Sequence, residues 1–321
     1  MSVLMLIAGM TLLAYAGDAL VHGAIEVAHR LHIPHIIIGL TVVAFGTSAP
    51  ELIVSLQAAL AGAPGLAIGN VVGSNVTNVL LVLGVPAIIT PIILNDAGIR
   101  RSHAFMTATT LGLIWVIWDL QVTRLEGIAL FTLLLAYLVY SAFAAKDERT
   151  KSLAAKATSD APQTPDTTMS PLKTAGMVLF GMIGLGIGGK LTTEGALGIA
   201  DMFGLANSTV GLTVVALGTS LPELAAGISA ARRNQTGVII GNVIGSNIFN
   251  VLGIIGITSM VVPLSISQTI VYFDAWIALA TALLILPVVY FTRRINRWEG
   301  AVMTFAYLVF TVVVIRNGMA I

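Results

Sequence analysis

The chain has 321 residues, of which 57% are hydrophobic and 10% are charged, and its formal net charge is +1. This composition, with a mean hydropathy of +0.96, excludes a soluble globular domain and indicates an integral membrane protein. Cysteine is absent, which excludes disulfides, thiolate metal sites and a cysteine nucleophile, so oxygen and imidazole are the strong ligand types that remain.

Apolar stretches long enough to cross a bilayer, which takes roughly 20 residues, follow one another along the chain. Ten of them lie near 3–27, 35–60, 66–90, 103–118, 125–144, 172–199, 208–231, 238–262, 270–291 and 299–315. The first lacks a basic leader region and carries Asp18 and Glu26, which favours a retained helix over a cleaved signal peptide. The sequence therefore predicts an all-α integral membrane protein with ten transmembrane helices.

One segment of the chain is duplicated. Residues 39–84 align without a gap on residues 211–256, at a shift of 172, and 26 of 46 positions are identical. We therefore divide the chain into a first five-helix repeat at 1–144, a linker at 145–171 and a second five-helix repeat at 172–321. Because five is odd, the second repeat enters the membrane from the opposite side. Inverted repeats of this kind place a substrate site where they meet, near the bilayer midplane.

The basic residues predict the orientation. In the ten-helix arrangement, thirteen of the sixteen Lys and Arg residues fall on one side of the membrane, which is expected to be the cytoplasm. Both termini then lie outside the cell inner (plasma) membrane. Residues 145–171 are polar and rich in Ser, Thr, Ala and Pro, which predicts a flexible cytoplasmic linker.

Each copy of the duplicated segment places a proline and a glutamate inside a predicted helix. The first copy reads GTSAPE over Gly46–Glu51, and the second reads GTSLPE over Gly218–Glu223. A proline in a helix leaves a carbonyl oxygen without its usual partner, and at membrane depth such an oxygen is tolerated only in a cavity or inside protein. Acidic side chains inside a membrane are functional candidates by default, so Glu51 and Glu223 are the leading ones.

Hydroxyl and amide side chains accompany the two glutamates. The candidates are Thr47 and Ser48, Thr219 and Ser220, and on the next helix of each copy Asn70, Ser74 and Asn78, or Asn242, Ser246 and Asn250. The last two sets are spaced i, i+4, i+8, which puts each set on one helix face. Such hard oxygen donors suit calcium, magnesium and sodium. The hydroxyls could instead bond back to their own helices, and Asn70 and Asn242 could simply bridge helices.

The charge of the predicted site fits two substrates in turn. Two carboxylates carry −2, which one calcium ion or two sodium ions neutralise. The glycines Gly69, Gly73, Gly241 and Gly245 make a GxxxG spacing in each copy, for which we predict a packing role.

These motifs resemble a known family. GLTVVAFGTSAPEL with GNVVGSNVTN, and GLTVVALGTSLPEL with GNVIGSNIFN, are similar to the two alpha repeats of the cation/calcium antiporter superfamily, specifically its sodium/calcium exchanger branch and prokaryotic members. The resemblance implies that Glu51 and Glu223 hold calcium, assisted by the backbone carbonyls of Thr47 and Thr219. It implies sodium sites at the Ala44 carbonyl, Ser48 and Ser74, and at the Ala216 carbonyl, Ser220 and Ser246, with Asn78 and Asn250 between them.

The same resemblance implies a function. We expect a secondary active antiporter, not an enzyme, that exchanges calcium for sodium as its first and sixth helices slide against the other helices. It needs no cofactor, its partners are the two ions and the bilayer, and a monomer is the expected assembly. Asn78 and Asn250 are aspartates in several relatives, including potassium-dependent exchangers, so the amides argue against potassium cotransport. Coupling to protons, transport of another divalent cation and a passive cation channel remain alternatives.

Overall fold

The computed structural model describes residues 1–95, 98–157, 169–202 and 217–317. Ala216, one of the predicted ligands, lies outside these ranges, as do residues 158–168 of the predicted linker and the start of the second duplicated segment. The described part is almost entirely helical, as predicted.

The helices are α1 (Ser2–Leu31), α2 (His35–Ile38), α3 (Ala44–Thr47), α4 (Ala49–Leu60), α5 (Pro64–Thr77), α6 (Gly84–Ile89), α7 (Gly98–Val116), α8 (Arg124–Ala157), α9 (Pro171–Met202), α10 (Leu221–Arg232), α11 (Thr236–Phe249), α12 (Gly256–Val261), α13 (Ala275–Leu284) and α14 (Arg297–Asn317). π-helical segments at Gly39–Val43, Asn78–Val82, Asn250–Ile255, Ile270–Asp274 and Val288–Thr292 join several of them, and Ile117–Asp119 is a 3₁₀ turn. Four two-residue strands complete the set: β1 (Ile92–Ile93), β2 (Gln121–Val122), β3 (Leu264–Ser265) and β4 (Arg294–Ile295).

Seven helical runs in the described ranges are long and apolar enough to cross a membrane. They are Ser2–Leu31, Pro64–Ile89, Arg124–Asp147, Pro171–Ile199, Thr236–Val261, Ile270–Thr292 and Arg297–Val314. The pair His35–Thr47 and Ala49–Leu60, bent by 43°, makes an eighth. These eight coincide with predicted stretches and make the chain a multi-pass membrane protein.

Two of the ten predicted spans are not among these eight runs. The stretch 103–118 falls on α7, a 19-residue helix that begins with a basic turn and is not among the eight runs. The stretch 208–231 is described only from residue 217 onward, where α10 covers its end. The predicted linker is also partly helical, because α8 continues to Ala157.

The element boundaries repeat along the chain as the duplication predicts. α4 and α10, α5 and α11, and β1 and β3 each begin 172 residues apart. β1 pairs with β4 and β2 pairs with β3, both antiparallel, so each strand pair joins one half of the chain to the other. α5 and α11, with the π-helical segments that follow them, form the buried centre of the fold.

Glycines allow the helix backbones to approach closely at two contacts. A Cβ added to Gly241 or Gly245 would lie 2.5 Å or 2.6 Å from the carbonyl oxygens of Ile36 and Leu40, so α11 packs directly on the backbone of α2 and the π-helical turn after it. This contact confirms the packing role predicted for those two glycines. α1 and α9 run antiparallel in similar contact, since a Cβ on Gly181 would lie 2.5 Å from that of Leu20.

Candidate functional site

The duplicated motif interrupts its helix in both halves. α3 ends at Thr47 and α4 begins at Ala49, with Ser48 between them at φ −86°, ψ 6°. Ser220 precedes α10 with nearly the same angles, φ −87° and ψ 3°. Each proline therefore lies in the first turn of a new helix, where a backbone N–H has no helical partner. The sequence analysis placed each proline inside a predicted helix and expected it to disrupt the helical hydrogen bonds, and in the structure the helix breaks just before the proline.

The break sets each glutamate at a helix N-terminus. Glu51 lies in the first turn of α4 and Glu223 in the first turn of α10. Both side chains are buried, with 1% of each residue exposed. The helix dipoles of α4 and α10 direct partial positive charge toward the two carboxylates, which lowers the free-energy cost of keeping negative charge inside the protein.

The two glutamates face each other across the repeats. The Ser48 hydroxyl donates to Glu223 Oε1 at 2.9 Å, and the Ser220 hydroxyl lies 3.5 Å from Glu51 Oε1. Each carboxylate thus accepts a hydrogen bond from the serine of the opposite copy. This arrangement agrees with the predicted meeting of the two motifs.

The amides of α5 and α11 continue the same reciprocal pattern. Thr47 Oγ1 donates to Asn242 Oδ1 at 3.2 Å, and Thr219 Oγ1 donates to Asn70 Oδ1 at 3.4 Å. Ser220 Oγ also lies 3.4 Å from Ser74 Oγ. The threonine and serine side chains therefore reach the opposite repeat, in addition to any bond with their own helix.

Two asparagines of the site were missed in the sequence analysis. Asn78 Nδ2 donates to Asn247 Oδ1 and Asn250 Nδ2 donates to Asn75 Oδ1, both at 3.0 Å. Asn75 and Asn247 follow Ser74 and Ser246 in identical GSN triplets, so the duplication itself is a signal for them. Their position off the i, i+4, i+8 face explains why they were not predicted.

Several oxygens of this cluster are buried without a hydrogen bond in the described residues. They are Oε2 of Glu51 and Glu223, Oδ1 of Asn78 and Asn250, and Oγ of Ser246. Buried polar atoms normally have partners, so a concentration of orphan oxygens calls for an explanation. The amide nitrogens of Asn78 and Asn250 are held by the opposite repeat, which leaves both carbonyl oxygens for another ligand.

The donor chemistry fits a hard cation. The cluster combines two carboxylates with amide and hydroxyl oxygens, the ligand types of calcium and sodium. None of the ion pairs among the described residues involves Glu51 or Glu223. The same part of the chain contains no group of three His, Cys, Asp or Glu side chains, which is the usual composition of a transition-metal site.

The Ala44 carbonyl is placed differently from the other predicted ligands. Its oxygen accepts a hydrogen bond from the Ser48 N–H at 3.0 Å, and Thr47 Oγ1 lies 3.3 Å away with its single hydrogen also within reach of Asn242 Oδ1. One lone pair of this carbonyl is therefore engaged in the present conformation. Its predicted counterpart in the second repeat, Ala216, lies outside the described residues.

Comparison with known proteins agrees with the chemistry of this cluster. The family described as sodium/calcium exchanger protein matches residues 1–143 and 173–316. The putative antiporter CaxA of Alkalimonas amylolytica is 36% identical over 306 residues, which cover 94% of each chain. The sodium/calcium exchanger MaX1 of Methanosarcina acetivorans is 30% identical over 340 residues and 97% of each chain.

A solved structure extends the similarity to three dimensions. The sodium-calcium exchanger NCX_Mj, soaked with sodium and strontium, superposes with a TM-score of 0.81 at 30% identity and covers 96% of both chains. The fold and the duplicated motifs therefore lead to the same assignment. The chain belongs to the sodium/calcium exchanger family, as a prokaryotic-type member.

Proposed function

We propose that this protein is a secondary active antiporter that exchanges calcium for sodium at one site between the two repeats. The observation that carries the proposal is the buried pair Glu51 and Glu223, each bonded to the serine of the opposite repeat and each retaining one oxygen without a hydrogen bond in the described residues. Membership of the sodium/calcium exchanger family supports it.

Charge balance explains why one site serves both ions. An isolated charge inside a bilayer costs at least several kcal/mol, so a pair of ionised carboxylates is stable there only with a compensating cation. One calcium ion or two sodium ions bring the net charge of the pair to zero. The two loads exclude each other, because binding both would leave an uncompensated positive charge.

We assign the ligand roles as follows. Calcium is held by the two glutamates with the Thr47 and Thr219 backbone carbonyls. Sodium uses Ser48 with Ser74 on one side and Ser220 with Ser246 on the other, together with the carbonyls of Ala44 and Ala216. Asn78 and Asn250 line the centre. The Ala44 carbonyl accepts the Ser48 N–H with one lone pair and can bind a sodium ion with the other.

Alternating access follows from an inverted arrangement of the two halves. The first helices of the repeats, α1 and α9, run antiparallel, and the contacts across the site are reciprocal, as a two-fold relation requires. With five spans in each half, the two-fold axis lies in the membrane plane. We place both termini outside the inner membrane and residues 145–171 in the cytoplasm, according to the distribution of basic residues.

Reconstituted vesicles test this function. Protein in vesicles loaded with sodium and diluted into sodium-free medium should accumulate calcium-45, and Glu51→Gln or Glu223→Gln should abolish the uptake. Glu194→Gln is the matched control, because this glutamate is 46% exposed and its ion-pair partner is Lys190, which is not a residue of the site. Uptake that does not depend on the sodium gradient would overturn the proposal, and uptake driven by a pH gradient without sodium would assign proton coupling instead.

A further inference from the structure

A cavity lies away from the cation site. It has a volume of about 700 Å³ and is lined by the segment Pro34–Leu40, by α7 and by α8. None of its lining residues belongs to the cluster of buried oxygens described above. Any occupant of this cavity is therefore distinct from the transported ions.

Small apolar side chains create this cavity. Ala104 and Ala108 lie one turn apart on α7, and Leu133 and Ala136 line the opposite wall on α8. Phe105 and Tyr137 also line the cavity, stacked in parallel with ring centroids 4.6 Å apart. Such walls suit a flexible hydrocarbon chain, which needs width and apolar contact rather than specific hydrogen bonds.

The cavity is polar at one end only. Arg101 Nη1 donates to the Tyr140 hydroxyl at 3.2 Å, and Ser141 and Asp147 line the same end. Asp147 is also the last residue of the apolar span Arg124–Asp147, so this end lies at the membrane surface. From Asp147 to Leu133, α8 rises about 21 Å, close to the thickness of one leaflet with its headgroups.

Hydroxyl groups continue from this polar end along the cavity wall. The Tyr137 residue is 7% exposed, and the Ser102 and Ser141 hydroxyls lie beside its own hydroxyl and line the same cavity. Hydroxyl hydrogens rotate, so this group can turn one O–H toward an acceptor on a ligand, such as an ester carbonyl.

We propose that this cavity binds one glycerophospholipid from the bilayer. The phosphate binds Arg101, whose guanidinium has five N–H donors and can contact a phosphate in addition to Tyr140 and its other protein partners. The ester carbonyls lie at the Tyr137, Ser102 and Ser141 hydroxyls, and one acyl chain runs between α7 and α8. The lipid contacts Pro34–Leu40, the segment that leads through Gly39–Val43 into α3, so it braces the helix that carries Thr47.

Lipid binding can be measured without any transport assay. Detergent-purified protein is mixed with palmitoyl-oleoyl phosphatidylethanolamine, phosphatidylglycerol or diacylglycerol, and the bound fraction is read by native mass spectrometry beside the shift in Tm. One lipid should bind per chain and raise Tm when a phosphate is present, whereas diacylglycerol should not. Equal binding of the two phospholipids indicates that the phosphate is recognised. A preference for one of them indicates that its headgroup makes an additional contact.

Two pairs of variants decide the outcome. Ala108→Trp fills the cavity and should abolish the bound lipid, whereas Leu111→Trp, on the same helix but outside the cavity and 54% exposed, should not. Arg101→Gln should weaken phospholipid binding about tenfold, the effect of one charge-assisted hydrogen bond. Arg100→Gln should not, because its guanidinium lies over the Tyr290 ring. Equal lipid binding by both members of either pair, or equal binding of diacylglycerol, overturns the proposal.

Discussion

Replacing Glu51 by Gln tests the site most directly, because it removes one charge and little volume. Ser220 can still donate to the side-chain carbonyl, so the contact across the repeats at 3.5 Å can persist. What changes is the balance of charge. Glu223 alone then carries −1. One sodium ion neutralises this charge, whereas a calcium ion leaves a net charge of +1.

The size of the effect follows from burial. Removing one partner of a buried, compensated charge pair costs about 3–5 kcal/mol. Calcium should therefore bind roughly 150- to 5,000-fold more weakly to the Glu51→Gln variant. Because Coulomb energies scale with the charge of the ion, sodium should lose about half that free energy, or roughly 10- to 70-fold in affinity.

The stability of the ion-free protein should change in the opposite direction. Burying two ionised carboxylates destabilises the fold when no cation is bound, and Glu51→Gln removes one of the two buried charges. In chelator-treated buffer the variant should therefore have a Tm equal to or above that of the parent. Added calcium should raise Tm of the parent and of the Glu194→Gln control, but not of the variant.

Thermal unfolding in detergent, with and without calcium, measures both effects, and isothermal titration gives the affinities. A variant that loses stability in ion-free buffer would show that Glu51 has a structural role instead. Calcium affinity within a few-fold of the parent would refute the assignment of this carboxylate as a ligand.

Further variants probe the contacts around the site. Ser48→Ala removes the 2.9 Å hydrogen bond to the opposite carboxylate. We expect the free energy of calcium binding to become about 1–3 kcal/mol less favourable, which lowers calcium uptake at low calcium concentration; unchanged uptake would contradict this. Gly181→Leu should prevent the α1–α9 contact and lower the yield of folded protein in size-exclusion chromatography, whereas Gly176→Leu, with open space around it, should fold normally. Asp18→Asn breaks a partly exposed ion pair with Arg233 and should lower the free energy of unfolding by about 1 kcal/mol or less. A larger loss, measured by denaturant titration, would show that this ion pair contributes more than a surface pair does.

The sequence predicted the centre of the site because the chain carries that motif twice. A shift of 172 residues pairs Glu51 with Glu223, and inverted repeats place the substrate site where the two copies meet. The structure brings them together with Ser48 and Ser220. Their ligand roles remain predictions until ions are measured.

Other features could not be predicted from helix periodicity. Asn75 and Asn247 lie one residue beyond the predicted face, about 100° around the helix, and become part of the site only because α5 and α11 pack against each other. Asp18 pairs with Arg233, a contact between distant parts of the chain that a single sequence does not specify.

Helix propensity predicts one element that polarity alone hides. The polar segment after Ala145 was predicted as a flexible linker, but α8 continues through it to Ala157. Residues 146–157 read KDERTKSLAAKA and consist mostly of good helix formers. Polarity there marks the exit from the bilayer and not the end of the helix.

The two strand pairs restrict how this protein can move. β1 with β4 and β2 with β3 tie each half of the chain to the other at two separate places, and the Asn75–Asn247 contacts tie them again at the centre. The two halves of the chain therefore cannot separate as rigid bodies without breaking all these hydrogen bonds. For the proposed exchange, a shift of the antiparallel pair α1 and α9 as a unit over a closed core would break fewer of these bonds.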